Sequence, residues 1–402
     1  MAVKGKSITI LGAGIGGLTA AIALARRGAR VTVLERAAKI SEVGAGIQIT
    51  PNATAVFAAL DLEKRALRAA TRLTAVELCD YRGGAPVMRL DMTAARHGNA
   101  HPYLLFHRAD LIEMLAASAK RHGVDVQTGK DVSGVAIGFD QVSLPLADGT
   151  QRSGKILIGA DGLHSLTRQA IEKSGAARFT GQVAWRALVR AEHVPAYDIP
   201  PVATIHMGRG RHLVTYPLRD GALINIVAVK EQKTWAEEGW NHLDDPQNLR
   251  REFADFSPYI KRLLSLCEHV HLWGLFAHPV AQQWSQGSAV ILGDAAHPTL
   301  PFLAQGANMA IEDAWVLAEE MDRHDDLAQA FAAYEARRKS RTRRIVAAAS
   351  GNSRIYHLSP TPLRLVAHQA MRLAERLAPA QVLGRYDWLY GHDVTAGAAR
   401  GA

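Results

Sequence analysis

Ser288-AVILGDAAHPTLPFLAQGANMAIEDA-Trp315 is the stretch whose reading decides the fold. Val290-Ile-Leu-Gly has the pattern of a buried strand that stops at a carboxylate, Asp294. Pro298 and Pro301 stiffen the loop that follows, because each proline fixes φ. Gly306-Ala307-Asn308 then opens a helix, whose first N–H groups and partial positive charge face whatever lies against them. A strand-end carboxylate can hold a sugar-like hydroxyl through a charge-assisted hydrogen bond. Together these features suit a polyol chain ending in a ring that turns anionic on reduction, which describes a flavin.

The other half of such a site lies at the N-terminus. Ser7-ITIL is an apolar strand, Gly12-Ala-Gly14-Ile-Gly-Gly17 a tight turn, and Leu18-TAAIALA-Arg26 a helix. Ala29-RVTVL-Glu35 returns as a strand ending in an acid, so the G-x-G-x-x-G stands in the strand–turn–helix context the dinucleotide fingerprint needs. The glycines let the backbone approach a pyrophosphate that rests on the helix N-terminus. Glu35 can accept from two ribose hydroxyls and would repel a 2′-phosphate, which points to FAD or NAD. FAD is preferred because no second complete fingerprint appears: Gly44-Ala-Gly46-Ile-Gln-Ile49 imitates the pattern but lacks the third glycine.

At 402 residues the chain has room for two joined domains with ample core. Cys79 and Cys267 are far apart and form no C-x-x-C, so no disulfide framework or redox dithiol is expected, and a cytoplasmic location fits. Residues 7–25 are uncharged and follow Lys4 and Lys6, but four glycines and the continuation to Glu35 argue against a leader or span. No other apolar run approaches the roughly 20 residues of a membrane span. The net charge is +9. Its densest cluster, Arg337-Arg338-Lys339-Ser-Arg341-Thr-Arg343-Arg344, sits in a helical pattern from Leu327 to Ser350 without aromatic partners. It reads as a solvated helix face, and no nucleic-acid partner is expected.

Strands and helices alternate through the first half, which argues for a parallel sheet with helices on it. Val124-DVQ, Asp131-VSGVAI and Lys155-ILIGA read as strands there, and a helix starts at Arg108. After about Gly175 the texture changes. Gln182-VAWRALVRA, Ala203-TIHMG, His212-LVTYPL and Ala222-LINIVAV are strands joined by glycine-containing turns, the mark of an antiparallel sheet. Helices are expected over 307–322, 327–350 and about 361–378, and the Gly/Ala-rich tail from Thr395 is expected to be disordered. The fold class is therefore α/β: a Rossmann-type FAD-binding domain, an inserted and mainly antiparallel β-sheet substrate domain, and a C-terminal helical region. The expected division is 1–175 and 286–322 for the FAD domain, 176–285 for the substrate domain with 76–105 contributing, and 323–402 for the C-terminal helices and tail.

Gly293-Asp294-Ala-Ala-His297-Pro298, followed by Pro301-Phe-Leu-Ala-Gln-Gly306-Ala307-Asn308, resembles the second flavin motif of the single-component (class A) flavoprotein aromatic hydroxylases. Leu157-Ile-Gly-Ala-Asp161-Gly162 is similar to that family's Asp-Gly motif, which touches FAD and the passing nicotinamide cofactor. The resemblance runs from Ser7 to about Ser350, and Tyr386-Asp-Trp388-Leu-Tyr-Gly391 resembles the salicylate- and hydroxybenzoate-hydroxylase-like branch. It implies FAD contacts from Gly12, Gly14, Gly17, Glu35, Arg36, Gln48, Arg108, Val132, Asp161, Asp294, Pro301, Gly306, Ala307 and Asn308. Arg108 would reach the ribityl-phosphate region, Gln48 would lie beside the ring, and Arg36 and Val132 would line the adenosine end.

The chemistry implied by the resemblance is hydroxylation of a small phenolic or heteroaromatic acid with NADH or NADPH and O2, through a flavin hydroperoxide. The FAD would be bound tightly and non-covalently. A base near the phenolic OH would raise its nucleophilicity. His212, Val214 and Tyr216 share one strand face. Tyr216 is the first candidate for touching substrate oxygen and His212 the second. Some relatives carry a histidine where this chain has Phe302, which speaks against a base on the loop; His297 is expected to be structural. Arg186 and Arg190 could pair a substrate carboxylate or simply neighbouring acids. A larger lipophilic phenol, quinone precursor or polyketide as substrate, a flavin-binding sensor without turnover, and a homodimer all stay open.

Overall fold

Strand Ser7–Leu11 lies inside a six-stranded sheet, flanked by the strand that follows it in sequence and by one from much later in the chain. Arg30–Leu34 and then Asp125–Gln127 lie on one side, and Leu157–Gly159, Ala289–Ile291 and Ser285–Gln286 on the other. All neighbours are parallel except the edge pair Ser285–Gln286 with Ala289–Ile291. The carboxyl ends on either side of such a central strand open a crevice, the usual ligand position in open α/β sheets. The structure is a computed structural model and describes residues 2–40, 45–93, 101–138, 141–172, 175, 177–194, 199–232, 234 and 242–397. Helix Ile15–Ala25 is apolar nearly all round and correspondingly buried, packed between the sheet and helix Gly306–Arg323.

A second sheet has eight strands, in the order Leu243–Asp244, Val270–Ala277, Arg178–Arg190, Leu223–Glu231, Arg211–Leu218, Val202–Gly208, Ala75–Asp80 and Met88–Asp91. Every neighbouring pair is antiparallel except Val202–Gly208 with Ala75–Asp80. Alternation along these strands sends one set of side chains to a core around Phe253, Phe256 and Leu264, and the other toward the parallel sheet. Helices Leu327–Tyr356 and Thr361–Leu377 follow, with short helices Pro379–Gly384 and Asp387–Tyr390. The expected α/β class, with parallel sheet, antiparallel sheet and C-terminal helices, is what the chain adopts.

Two local readings need correction. The strand expected from Asp131 shrinks to one bridge, Val132 with Leu146, and a two-residue strand Ala136–Ile137. Gly134 between them has no side chain to pack on the pleated surface. The basic cluster is a solvated face only in part: Arg337, Arg343 and Arg344 are exposed, but the others turn inward. Arg338 is buried and contacts Glu312 at 2.6 Å and Asp313 at 2.7 Å, while Arg341 contacts Glu312 at 2.8 Å. Arg337 pairs with Glu319 and Glu320, and Lys339 with Glu335. The cause is tertiary: the long helix packs along Gly306–Arg323, whose carboxylates face it. Of the tail, Thr395 is held in a turn, its N–H donating to Asp393 Oδ1 at 2.8 Å, and residues 398–402 lie outside the described ones.

Candidate flavin and substrate site

One continuous cavity of about 1440 Å³ runs from the glycine turn, across the carboxyl end of the parallel sheet, to the underside of the eight-stranded sheet. It exceeds the roughly 300–1,000 Å³ of a site for one small ligand. Gly12, Gly14, Glu35, Arg36, Gln48 and Arg108 line it, as do Val132, Asp161, Asp294, Pro301, Gly306 and Ala307. Gly17 and Asn308 do not reach it; they stand behind the wall.

The glycine turn passes a direct test of fit. Gly12 has φ +105°, and a Cβ there would lie 2.4 Å from the Ala160 carbonyl oxygen. A Cβ on Gly17 would lie 2.0 Å from the Gly12 oxygen, so Gly17 is needed for the turn to close on the helix. A Cβ on Gly14 would meet no atom within 4 Å, because that position looks into the cavity where a pyrophosphate would lie. Gly17→Ala is therefore expected to open the turn and purify without flavin colour. Gly14→Ala should fold normally and hold FAD more weakly. Flavin absorbance per protein together with far-UV circular dichroism checks both, and a yellow Gly17→Ala protein would refute the assignment.

The carboxylates around the cavity differ in how much capacity they have left. Glu35 accepts from Ala13 N–H at 2.8 Å and Ala37 N–H at 2.9 Å, which leaves two of its roughly four lone-pair positions for ribose hydroxyls. Asp161 accepts from Ser165 Oγ (2.6 Å), Thr167 N (3.0 Å) and Thr167 Oγ1 (3.1 Å), and its own N–H adds a fourth. Its carboxylate is taken up by the start of helix Leu166–Ile171. Asp294 lies deep in the protein yet is exposed, because its exposure is to the cavity. Burial pushes its pKa up, and His297, Arg108 and His278 pull against that. Arg108, half-buried beside the crevice, is brought down to about 10, first by burial and then by Arg186, against the pull of Asp294.

Behind the return motif, Asn308 ties the helix to strand Gly46–Ile49: Nδ2 donates to the Gln48 carbonyl at 3.0 Å and Oδ1 accepts from Thr50 N at 2.8 Å. Ala304, just before the helix, is left-handed at φ +52°, strain of a kind that clusters at binding segments. His297 is fully buried against Asp313 at 2.5 Å, in keeping with a structural role.

The roof of the cavity is the inner face of the eight-stranded sheet. His212, Val214 and Tyr216 do share that face. Tyr216 sits directly on Gly46, where a Cβ would lie 2.6 Å from its hydroxyl, which explains the imitation fingerprint as a packing requirement. Gln48 and Asn225 hydrogen-bond the Tyr216 hydroxyl, and Tyr103 donates to Gln48 Oε1 at 2.6 Å. Burial drives the Tyr216 pKa well above its usual value, Arg186 and these hydrogen bonds only partly opposing it. Its hydroxyl therefore keeps its proton and is a hydrogen-bond donor. His212, buried beside Phe302 (ring centroids 5.7 Å), is held well below its usual pKa by burial and by His357. Both effects favour the neutral imidazole. Arg186 lines the same roof, its guanidinium 4.9 Å from the Trp273 ring centroid. Arg190 is exposed and sits at the rim, where Glu192 is 3.4 Å away. Asn225, Tyr103 and His357 were not anticipated. Only Asn225 carries a sequence signal, a lone amide inside the buried strand Leu-Ile-Asn-Ile-Val-Ala-Val.

Comparison with known proteins agrees with this architecture. A family profile described as FAD binding domain matches residues 6–349. A 3-hydroxybenzoate 6-hydroxylase of Polaromonas naphthalenivorans is 36% identical over 394 residues, covering 96% of both chains. A 3-amino-4-hydroxybenzoate 2-monooxygenase of Streptomyces platensis is 34% identical over 394 residues, again covering 96% of both. Among solved structures, Klebsiella pneumoniae HpxO complexed with FAD and uric acid superposes with a TM-score of 0.81 at 26% identity, covering 95% of this chain and 96% of that one. Among the described residues no helix is long and apolar enough to cross a membrane, and no His/Cys/Asp/Glu group could hold a metal. Matched over nearly its whole length, the chain belongs to the FAD-binding family of flavoprotein aromatic hydroxylases and is an FAD-dependent monooxygenase.

Proposed function

We propose that this enzyme hydroxylates a small phenolic acid, using NADH or NADPH as reductant and O2 as oxidant. The observation that carries the reading is the continuity of the cavity from the glycine turn and Asp294 to a roof bearing Tyr216, His212 and Arg186. In the proposed assignment Gly12, Gly14, Glu35, Arg36 and Val132 hold the adenosine and pyrophosphate end of FAD. Arg108 and Asp294 hold the phosphates and ribityl chain, and Gln48, Pro301, Gly306 and Ala307 border the ring. Gly17, Asp161 and Asn308 act by shaping those segments. When bound, FAD supplies the reduced ring on which O2 is activated. The chain's own part is to orient the phenol by the Tyr216 hydroxyl, take up its proton at His212, and exclude water with Phe302 and the apolar roof.

The curated relatives that span nearly the whole chain are named for hydroxybenzoates, which favours a small acid over a larger lipophilic phenol. Arg186 supplies the cation such an acid needs. The proposed division keeps the FAD-binding parts at 1–175 and 286–322, the substrate part at 176–285 with help from 76–105, and the helices at 323–402. Two buried cysteines outside any disulfide support a cytoplasmic home.

The test is NADH and NADPH oxidation, with peroxide trapped, across hydroxybenzoates, hydroxypyridine acids and lipophilic phenols. Strong stimulation by a phenolic acid with little peroxide is the expected result, and stimulation only by lipophilic phenols would overturn the substrate class. Arg186→Ala should raise KM for the acid about 10- to 100-fold, the loss of one charge-assisted hydrogen bond of about 1.5–3 kcal/mol. Neutral phenols should lose little, and an equal loss for both would remove Arg186 from the carboxylate site.

A further inference from the structure

Behind the roof a second group of titratable side chains continues away from the cavity. His212 Nδ1 lies 2.7 Å from His357 Nε2, and His357 Nδ1 lies 3.0 Å from Glu231 Oε1. Two of the groups are buried and the third is exposed: His212 is 2% exposed, and the His357 and Glu231 side chains are 1% and 54% exposed. His212 lines the cavity and Glu231 faces outward, so the three groups span the wall between them.

We propose that His212, His357 and Glu231 form a proton path that carries the substrate's phenolic proton from the cavity to solvent. This rests on the hydroxylase reading above. The hydrogen-bond chain fixes its own proton inventory. An ionised Glu231 can only accept, so His357 must carry its proton on Nδ1. A neutral His357 then presents a bare Nε2, which must receive the proton on His212 Nδ1. His212 is left with its lone pair on Nε2, the nitrogen without a protein hydrogen-bond partner among the described residues, on a ring that borders the cavity. That is the tautomer a base needs.

The transfer balances. The phenolic O–H bond breaks as Nε2–H forms on His212. His212 Nδ1–H breaks as His357 Nε2–H forms, and His357 Nδ1–H breaks as a proton joins Glu231, which releases it to water. The phenolate product takes back one proton along the same path, and the starting tautomers return. Burial holds both imidazoles below their usual pKa, helped at His212 by His357 and opposed at His357 by Glu231, so neither stalls as a cation. Among the described residues, the other titratable groups nearby do not compete. Tyr356, its ring 5.2 Å from His212, is kept protonated by burial. Arg211 is engaged by Asp255, Arg209 by Thr361, and Lys230 by Glu252. The His357 backbone is pinned, its carbonyl accepting from Gly210 N and Ser359 Oγ, each at 3.2 Å.

His357 and Glu231 do not touch substrate and act as positioning and relay residues, so the test must read proton movement. Holoenzyme is mixed with 3-hydroxybenzoate in weak buffer containing a pH-indicator dye, and proton release is followed by stopped flow. Wild type is expected to release a proton on binding. Glu231→Ala should slow that release about tenfold or more, and added formate should restore it in proportion to concentration. His357→Gln should slow it similarly with no response to formate. Release at the wild-type rate in Glu231→Ala, an exposed position where misfolding is not at issue, would overturn the path even if His357→Gln fails to fold. If wild type oxidises NADH in response to phenols while both variants keep its release rate, only the path falls. If wild type shows neither release nor stimulated oxidation with any phenolic acid, the hydroxylase reading falls with it.

Discussion

Arg338→Met is expected to cost about 3 kcal/mol of stability, the lower end of the range of about 3–5 for breaking a buried pair. The side chain is 1% exposed and bridges Glu312 and Asp313, which are themselves buried. Methionine fills much of the volume but leaves Asp313 without its guanidinium. Arg341 still holds Glu312 at 2.8 Å and His297 still holds Asp313 at 2.5 Å, which keeps the loss from being larger. The pH dependence distinguishes this from simple loss of packing. In the wild type, burial pushes Glu312 upward, but Arg338 and Arg341 outweigh it and hold the pKa near 2 against an ordinary value of 4.5. A depressed carboxylate contributes stability above its unfolded pKa and loses it as pH falls, here between 4.5 and about 2. In the variant, Asp313 is governed more by burial and its folded pKa rises, so acidification costs the variant less stability than it costs the wild type. Urea denaturation at several pH values should therefore show the deficit shrinking as pH drops. A deficit independent of pH would mean that only packing was lost. Asp313 also accepts from Gly293 N–H at 3.0 Å, next to Asp294, so the variant should bind FAD less tightly as well.

His212→Gln is expected to lower kcat by about 10²- to 10⁴-fold with little change in KM or FAD content. Glutamine can still hydrogen-bond His357 but cannot take up a proton. Activity of the variant should recover as pH rises toward a phenol's own pKa of about 10, because solution then supplies the phenolate. Tyr216→Phe should lose less and show no such recovery, since a hydroxyl driven upward by burial was never the base. Steady-state kcat against pH for the two variants decides it. A His212→Gln enzyme retaining more than about a tenth of kcat at neutral pH would remove His212 from the reaction.

Most of the architecture was legible because it rests on local signals. The glycine turn, the strand ending in Glu35 and the strand–loop–helix around Asp294 are each contiguous, and their side-chain types report their own environment. What the sequence hid depends on partners far away in the chain. Arg338 looks like its neighbours Arg337 and Lys339 until helix Gly306–Arg323 brings Glu312 and Asp313 against it. Asp161 has the position of a ligand contact, yet Ser165 and Thr167 satisfy its carboxylate first. His357 lies at the end of a long helix with no periodic or motif signal, and only tertiary packing sets it behind His212. Gly46 carries a partial signal, a fingerprint short of its third glycine, whose reason is the Tyr216 ring lying over it.

The way the two sheets are threaded governs when a usable cofactor cradle first exists. Thr74 and Pro201, 127 residues apart, meet where the eight-stranded sheet receives its edge strands, and the parallel sheet waits for Ala289–Ile291. Such distant pairings are slow to form, because chain closure must precede the contacts that reward it. On a ribosome adding about 5–20 residues per second, the N-terminal fingerprint is outside for on the order of tens of seconds before its opposite wall arrives. FAD capture is thus expected late in biosynthesis, and cells short of flavin should accumulate a full-length chain whose empty crevice is open to proteases.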